Sequence, residues 1–163
     1  MAAIAGTEQP FQAFLDAHSE AVVVFLRGLV GWSEVDDCAQ ETYLAALRAY
    51  PGFDGRNPRA WIFRIARNKA IDNTRARQRR PDPANSDGAP AVDPGVPAEL
   101  RGTIWSAVAR LPEAQRSALV LRFAVDLPYR AIGETLDCSE AAARQRVASA
   151  LSKLRGDPTM KEV

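Results

Sequence analysis

The sequence predicts an all-α protein made of two small helical domains, an N-terminal helical bundle and a C-terminal helix-turn-helix, joined by a flexible Pro-rich linker. Three observations predict it. Apolar residues recur at three- and four-residue steps on both sides of the chain's middle, the period of helices with one buried face. Residues 81–98 carry five prolines (Pro81, Pro83, Pro90, Pro94, Pro97), two glycines and no aromatic residue. Such a segment buries too little apolar surface to offset the entropy of ordering, and fully extended it would reach roughly 60 Å. Finally, Tyr129–Leu136, the turn Asp137-Cys138-Ser139 and Glu140–Leu154 have the spacing of a helix-turn-helix. The domains are placed at residues 9–80 and 99–155, with the linker at 81–98.

In chain order, the first helix is read from Phe11, Phe14, Leu15, His18, Val22, Phe25, Leu26 and Leu29, with Gly28 and Gly31 marking its weakening end. His18 lies on that apolar stripe and is expected to pack rather than ligate. The second helix is expected to begin at Ser33 as N-cap, with Glu34, Asp36 and Asp37 favoured by the helix dipole in its first turn. Val35, Ala39, Tyr43, Ala46 and Tyr50 form its buried face. Asp36, Asp37, Gln40, Glu41, Leu44 and Arg48 form the other, either a solvated face or a protein interface anchored by Leu44. After Pro51-Gly52 and a short loop, Asn57-Pro58 reads as a cap followed by proline at the first helical position. The third helix runs to about Arg80, with Trp61, Ile62, Ile65, Ala66 and Ile71 inward. Beyond the linker, Leu100, Ile104, Trp105, Val108 and Leu111 make a fourth helix. Leu119, Val120 and Phe123 are the expected core of a fifth, which Pro112 opens. Ile132, Leu136, Val147, Leu151 and Leu154 close the core of the helix-turn-helix, leaving Arg144, Gln145, Arg146, Ser149 and Lys153 outward.

The 163 residues hold 21 basic and 20 acidic side chains, a near-neutral total that by itself suggests no nucleic-acid partner. Resolved along the chain the charge is strongly sorted. It is −5 over residues 1–58, +7 over 59–80, −3 over 81–98 and +2 over 99–163. The positive block contains Arg59, Arg64, Arg67, Lys69, Arg75, Arg77, Arg79 and Arg80 against Asp72 alone. A merely solvated helix interleaves acids for i, i+4 pairing, whereas this one suits a phosphate backbone. Arginine outnumbers lysine 18 to 3, a ratio that codon usage explains equally well.

Other functions find little support. No apolar run approaches a membrane span, and no secretory signal is read at the N-terminus. Cys38 and Cys138 are 100 residues apart without metal-ligand spacing and are expected to be reduced thiols. Paired acids, a nucleophile–base set and a phosphate-cradling glycine loop are absent from the pattern, so no enzyme, cofactor or metal is expected.

Four strings then resemble the extracytoplasmic-function group of bacterial RNA polymerase sigma factors. They are Glu34-Val-Asp-Asp-Cys-Ala-Gln-Glu-Thr-Tyr43, Ala60-Trp-Ile-Phe-Arg-Ile-Ala-Arg-Asn68, Leu111-Pro-Glu-Ala-Gln-Arg116 and the stretch Tyr129 to Arg155. The resemblance covers residues 9–80 and 99–155 and implies sigma domains 2 and 4 there. It implies a cytoplasmic, non-catalytic protein that binds core RNA polymerase and directs it to promoters. Asp36, Asp37, Gln40, Glu41 and Leu44 would dock on the clamp of the largest subunit, with a further contact to the flap region. Phe53, Asp54, Gly55, Arg56 and Asn57 would form a pocket for a melted base. With Arg59, Trp61, Arg64, Arg67, Asn68, Lys69 and Arg75, these residues would read the minus-ten element as single strand. Ser139, Glu140, Ala143, Arg144, Arg146, Ser149 and Lys153 would read the minus-thirty-five element as duplex. The acidic linker would thread polymerase channels, and an anti-sigma factor is an implied partner. This chain departs from the family pattern at Pro128, where a hydroxyl cap is common, at Asp137, where glycine is common, and at Ala141, Ala142 and Ala143, which are small.

Two alternatives remain on sequence grounds, a stand-alone helix-turn-helix regulator and a sigma mimic that binds only an anti-sigma factor. The acidic second helix and long linker argue against the first. The intact +7 block, with Arg144 and Arg146, argues against the second.

Overall fold

A computed structural model describes residues 5–79, 104–158 and 160. The Pro-rich segment 81–98, Arg80 and Leu100 lie outside the described residues. The helices are α1 (Ala5–Val30), α2 (Val35–Ala49), α3 (Pro58–Arg79), α4 (Ile104–Ala109), α5 (Glu113–Phe123), α6 (Tyr129–Leu136) and α7 (Glu140–Gly156), with a 3-10 turn at Tyr50–Gly52.

In the N-terminal half α1, α2 and α3 pack pairwise around Val22, Phe25, Leu26, Ile62, Phe63 and Ala66, all fully buried. Phe25 and Phe63 meet edge-on with centroids 5.4 Å apart. Each buried aromatic of this kind stabilises the fold by about 1.5–3 kcal/mol. Helix α1 stops at Gly31, whose φ of +83° is cheap only for glycine and whose N–H still reaches the Arg27 carbonyl at 3.1 Å. The expected Ser33 cap is displaced by one residue. Glu34 occupies the N-cap position of α2 without a side-chain cap bond, and its carboxylate instead accepts from Asn73 Nδ2 at 3.1 Å, tying α2 to α3. Thr42 and Cys38 join the buried face of α2. The Thr42 hydroxyl is satisfied by the Cys38 carbonyl at 2.8 Å.

In the C-terminal half α5, α6 and α7 pack around Leu121, Leu127, Ile132, Val147 and Ala150. Asp137 adopts the left-handed conformation (φ 55°) that glycine would otherwise supply at the end of α6. The glycine requirement falls on Gly133 instead. A Cβ there would lie 2.7 Å from the Cys138 carbonyl oxygen, so the turn closes only because none is present. Ser139 caps α7 by accepting the Ala142 N–H at 3.0 Å, while Pro128 precedes α6 without a side-chain cap bond.

Two apolar residues expected in the core are outside it. Phe123 is 62% and Ile104 48% exposed. With Trp105, Val108, Leu151 and Leu154 they border an open apolar groove of about 390 Å³. Periodicity put them on apolar stripes, but no described element covers those ends. The two halves also touch, with α1 against α4 and α5, and α3 against α6, and their buried residues form one continuous cluster.

Gly133→Ala should lower stability by about 1–3 kcal/mol through overpacking of the turn, whereas Asp137→Gly should hold or raise it by relieving the left-handed cost. Thermal unfolding of the two variants side by side checks both signs.

Candidate nucleic-acid interface

Helix α3 is the centre of the candidate interface because its two faces are chemically opposite. Ala60, Ile62, Phe63, Ala66 and Ala70 turn inward, and Arg64, Asn68 and Arg75 are exposed on the other side. Arg59, Arg67 and Lys69 are half-buried along its flanks. The loop before it is shaped locally. The Asp54 carboxylate accepts the Arg56 N–H at 2.9 Å, Gly55 sits at φ +83° and Asn57 at φ +46°. Asp54, Arg56 and Asn57 are exposed at its tip. Its base rests on an aromatic platform in which Phe53 stacks on Trp61 (4.5 Å between centroids, 27° between planes), flanked by Phe14 and Tyr50. Phe53 and Trp61 therefore spend one face on each other and hold the loop in place. His18 packs on Phe14 at 4.6 Å, as a stripe histidine should. Burial, helped by the nearby Arg59 charge, holds its pKa below the usual histidine value.

Three of the cationic side chains on α3 are engaged by the C-terminal half. Arg59 donates to the Val125 carbonyl at 2.5 Å, and Arg64 donates to the Glu134 carbonyl. Arg67 makes a two-pronged pair with Glu113, at 2.9 and 3.0 Å. Asn68 and Arg75, with Arg56 in the loop, keep exposed heads.

A second surface lies on α2. Asp36, Asp37, Gln40, Glu41 and Leu44 are all exposed on one face, as the sequence suggested. Leu47 joins them. At 44% exposure beside Leu44 at 53%, it extends an apolar ridge among acids. Its spacing of three residues from Leu44 was the available signal.

The third surface is α7. Arg144 pairs with Glu140 at 2.6 Å and lies 4.9 Å from the Tyr129 ring, which Arg122 also approaches at 4.8 Å. These contacts hold the Arg144 guanidinium outward at the helix start. Gln145 and Lys153 are exposed as well. Ala143 corrects the sequence reading. It is fully buried against the core with Val147 and Ala150 and reaches no base. Arg146 and Ser149 are half-buried on the shoulder of the helix, and Ser149 accepts from Gln145 at 3.4 Å.

Among the described residues no group of three or more His, Cys, Asp or Glu side chains has metal-binding geometry, and no helix is long and apolar enough to cross a membrane.

Comparison with known proteins matches two family profiles, sigma-70 region 2 over residues 14–80 and sigma-70 region 4 over residues 101–154. The ECF RNA polymerase sigma factor ShbA of Streptomyces griseus is 38% identical over 133 residues, covering 74% of this chain and 70% of that protein. Among solved structures, CnrH in complex with the cytosolic domain of CnrY matches with a TM-score of 0.70 and 27% identity, over 94% of this chain and 90% of CnrH. The sigma factor RpoE in complex with the anti-sigma factor NepR from Bartonella quintana shares the fold at a TM-score of 0.71 and 23% identity, over 91% of this chain and 96% of RpoE.

The thiols provide a chemical check on the geometry. Burial pushes Cys38 up to about 12 from 9.0, with Glu41 and Glu34 adding to the effect, whereas Cys138 is only half-buried. At mildly alkaline pH an alkylating reagent should therefore modify Cys138 alone in the folded chain and both thiols after denaturation, as read by mass spectrometry. Because the folded thiol titrates above the unfolded one, this burial favours the fold below about pH 9. That contribution should fall as pH rises from there toward 12.

Proposed function

This chain belongs to the extracytoplasmic-function sigma factors of the sigma-70 family and directs core RNA polymerase to promoters, and we propose that α2, α3 and α7 divide that work. The observation that carries the assignment of surfaces is the two-faced α3, an apolar seam on one side and a nearly acid-free cationic face on the other. The same reading keeps the two domains at residues 9–80 and 99–155. Asp36, Asp37, Gln40, Glu41, Leu44 and Leu47 dock on the polymerase clamp, where an apolar ridge framed by acids gives an anchor and a register.

The loop Phe53–Asn57 and the cationic face of α3 take the minus-ten element as melted strand. Asp54, Arg56 and Asn57 offer edge contacts at the loop tip, above the platform of Phe53 and Trp61. Arg59, Arg64, Arg67, Lys69 and Arg75 follow the phosphates, and Asn68 lies among them. The minus-thirty-five element is read by α7 laid in the major groove. Arg144 and Gln145 reach base edges, while Ser139, Glu140 and Lys153 border the backbone or position Arg144. An anti-sigma factor is the further partner, a reading supported by the fold shared with the RpoE captured by NepR. The protein acts without a cofactor or catalysis of its own, in the cytoplasm.

Run-off transcription with core polymerase on a promoter library tests the assignment. Asp37→Ala with Leu44→Ala should weaken co-purification with core polymerase while leaving the helical content intact, and unchanged core binding would remove α2 as the docking face. Arg144→Ala should shift preference at the upstream element, by about 1–3 kcal/mol for a lost bidentate base contact. A loss equal across all sequences would instead make Arg144 a phosphate contact.

A further inference from the structure

Helix α7 carries Arg144, but a small cluster drawn from three helices surrounds its guanidinium. Within α7, Glu140 one turn earlier accepts one N–H, Nη2 to Oε1 at 2.6 Å. From α6, the ring of Tyr129 lies beneath the charge, with its centroid 4.9 Å from Arg144 Cζ. From α5, Arg122 approaches the same ring at 4.8 Å and donates through Nη1 to the Leu127 carbonyl at 3.2 Å. Both cations are within the roughly 6 Å at which an aromatic quadrupole attracts a positive charge.

The two contacts on Arg144 are not equivalent. Its pair with Glu140 joins two exposed side chains at i, i+4 spacing, and such a pair holds a side chain only weakly. It fixes one nitrogen and leaves the guanidinium free to turn about it. Tyr129 supplies the plane. It is the first residue of α6, half-buried and packed against the core, so its own ring is anchored. Arg122, itself bonded to the Leu127 backbone, braces the same ring. A guanidinium held through its charge keeps its remaining N–H donors available, and a bidentate base contact needs those donors in a fixed plane.

We propose that Tyr129 is a positioning residue for upstream-element recognition. Its ring holds the Arg144 guanidinium in the plane a base edge requires, and so sets how sharply that base is discriminated. This role rests on the reading of α7 as the duplex reader with Arg144 at a base edge. Rotamer freedom is the physical reason. A long arginine that samples many rotamers loses ordering entropy on every target and can swing toward whichever acceptor lies near. One ordered beforehand loses less on the matching base and cannot follow a mismatched one. Tyr129 thus acts on base choice from outside the helix that reads the duplex.

The test assembles the full chain with core polymerase and measures run-off transcription across the promoter library, scoring preference base by base in the upstream element. Tyr129→Leu keeps apolar bulk and removes the aromatic face. It should reduce discrimination by about two- to fivefold at the base that Arg144→Ala affects, and leave the other positions unchanged. Tyr129→Phe should retain wild-type discrimination. Tyr129→Leu combined with Arg144→Ala should discriminate no worse than Arg144→Ala alone. Thermal unfolding checks the fold, and Tyr129→Met replaces Tyr129→Leu if that variant unfolds. In the free chain, the Arg144 side-chain protons should show a ring-current shift in wild type and Tyr129→Phe that Tyr129→Leu loses. Equal loss at every position, or additive losses in the double variant, would make Tyr129 a packing residue only and overturn the proposal. Full discrimination by Tyr129→Leu beside a clear Arg144→Ala effect would overturn positioning alone. Unchanged preference in Arg144→Ala would instead overturn the base-edge assignment on which this role rests.

Discussion

The N-terminal half depends on one constraint: α3 must be held as a helix by its apolar stripe while carrying a charge density that opposes helix formation. Between Arg59 and Arg80 there are eight bases and one acid, so stabilising i, i+4 pairs are nearly absent and like charges repel along the exposed side. Helicity has to come from tertiary packing. It comes from Ile62 and Phe63, locked under Phe25 and Leu26, and from Ala60, Ala66 and Ala70, whose small side chains let α1 and α2 approach closely. Asn73 binding Glu34 adds a polar tie between α3 and the start of α2. The same packing fixes which way Arg64, Asn68 and Arg75 point, so the core and the nucleic-acid surface are two consequences of one stripe.

Much of this was legible in the sequence because it is local. The charge sorting, the apolar period of α1, α2 and α3, the Asn57-Pro58 start and the exposed Leu44 among acids are properties of neighbouring residues. What a stripe cannot reveal is whether anything covers it. Phe123 and Ile104 have the right spacing for a core and lie at its open rim. Ala143 has the right position for a recognition helix and is buried, because small residues are what let α7 close on α5 and α6. The N-cap position of α2 falls at Glu34 rather than Ser33, and the Glu34 carboxylate, which local pattern would make a cap or first-turn acid, is bound by Asn73 of α3.

Contact between the halves was the least legible feature, for a physical reason. Val125, Glu134 and Leu29 receive arginines through backbone carbonyls, which every residue carries and no pattern marks. Glu113 accepts through its own carboxylate, and Gly28 makes room for the Val120 side chain. Glu113 also reads as an ordinary first-turn acid, and Gly28 as a fraying helix end. The linker at 81–98 suggested two independent bodies, since its length permits separation and imposes none.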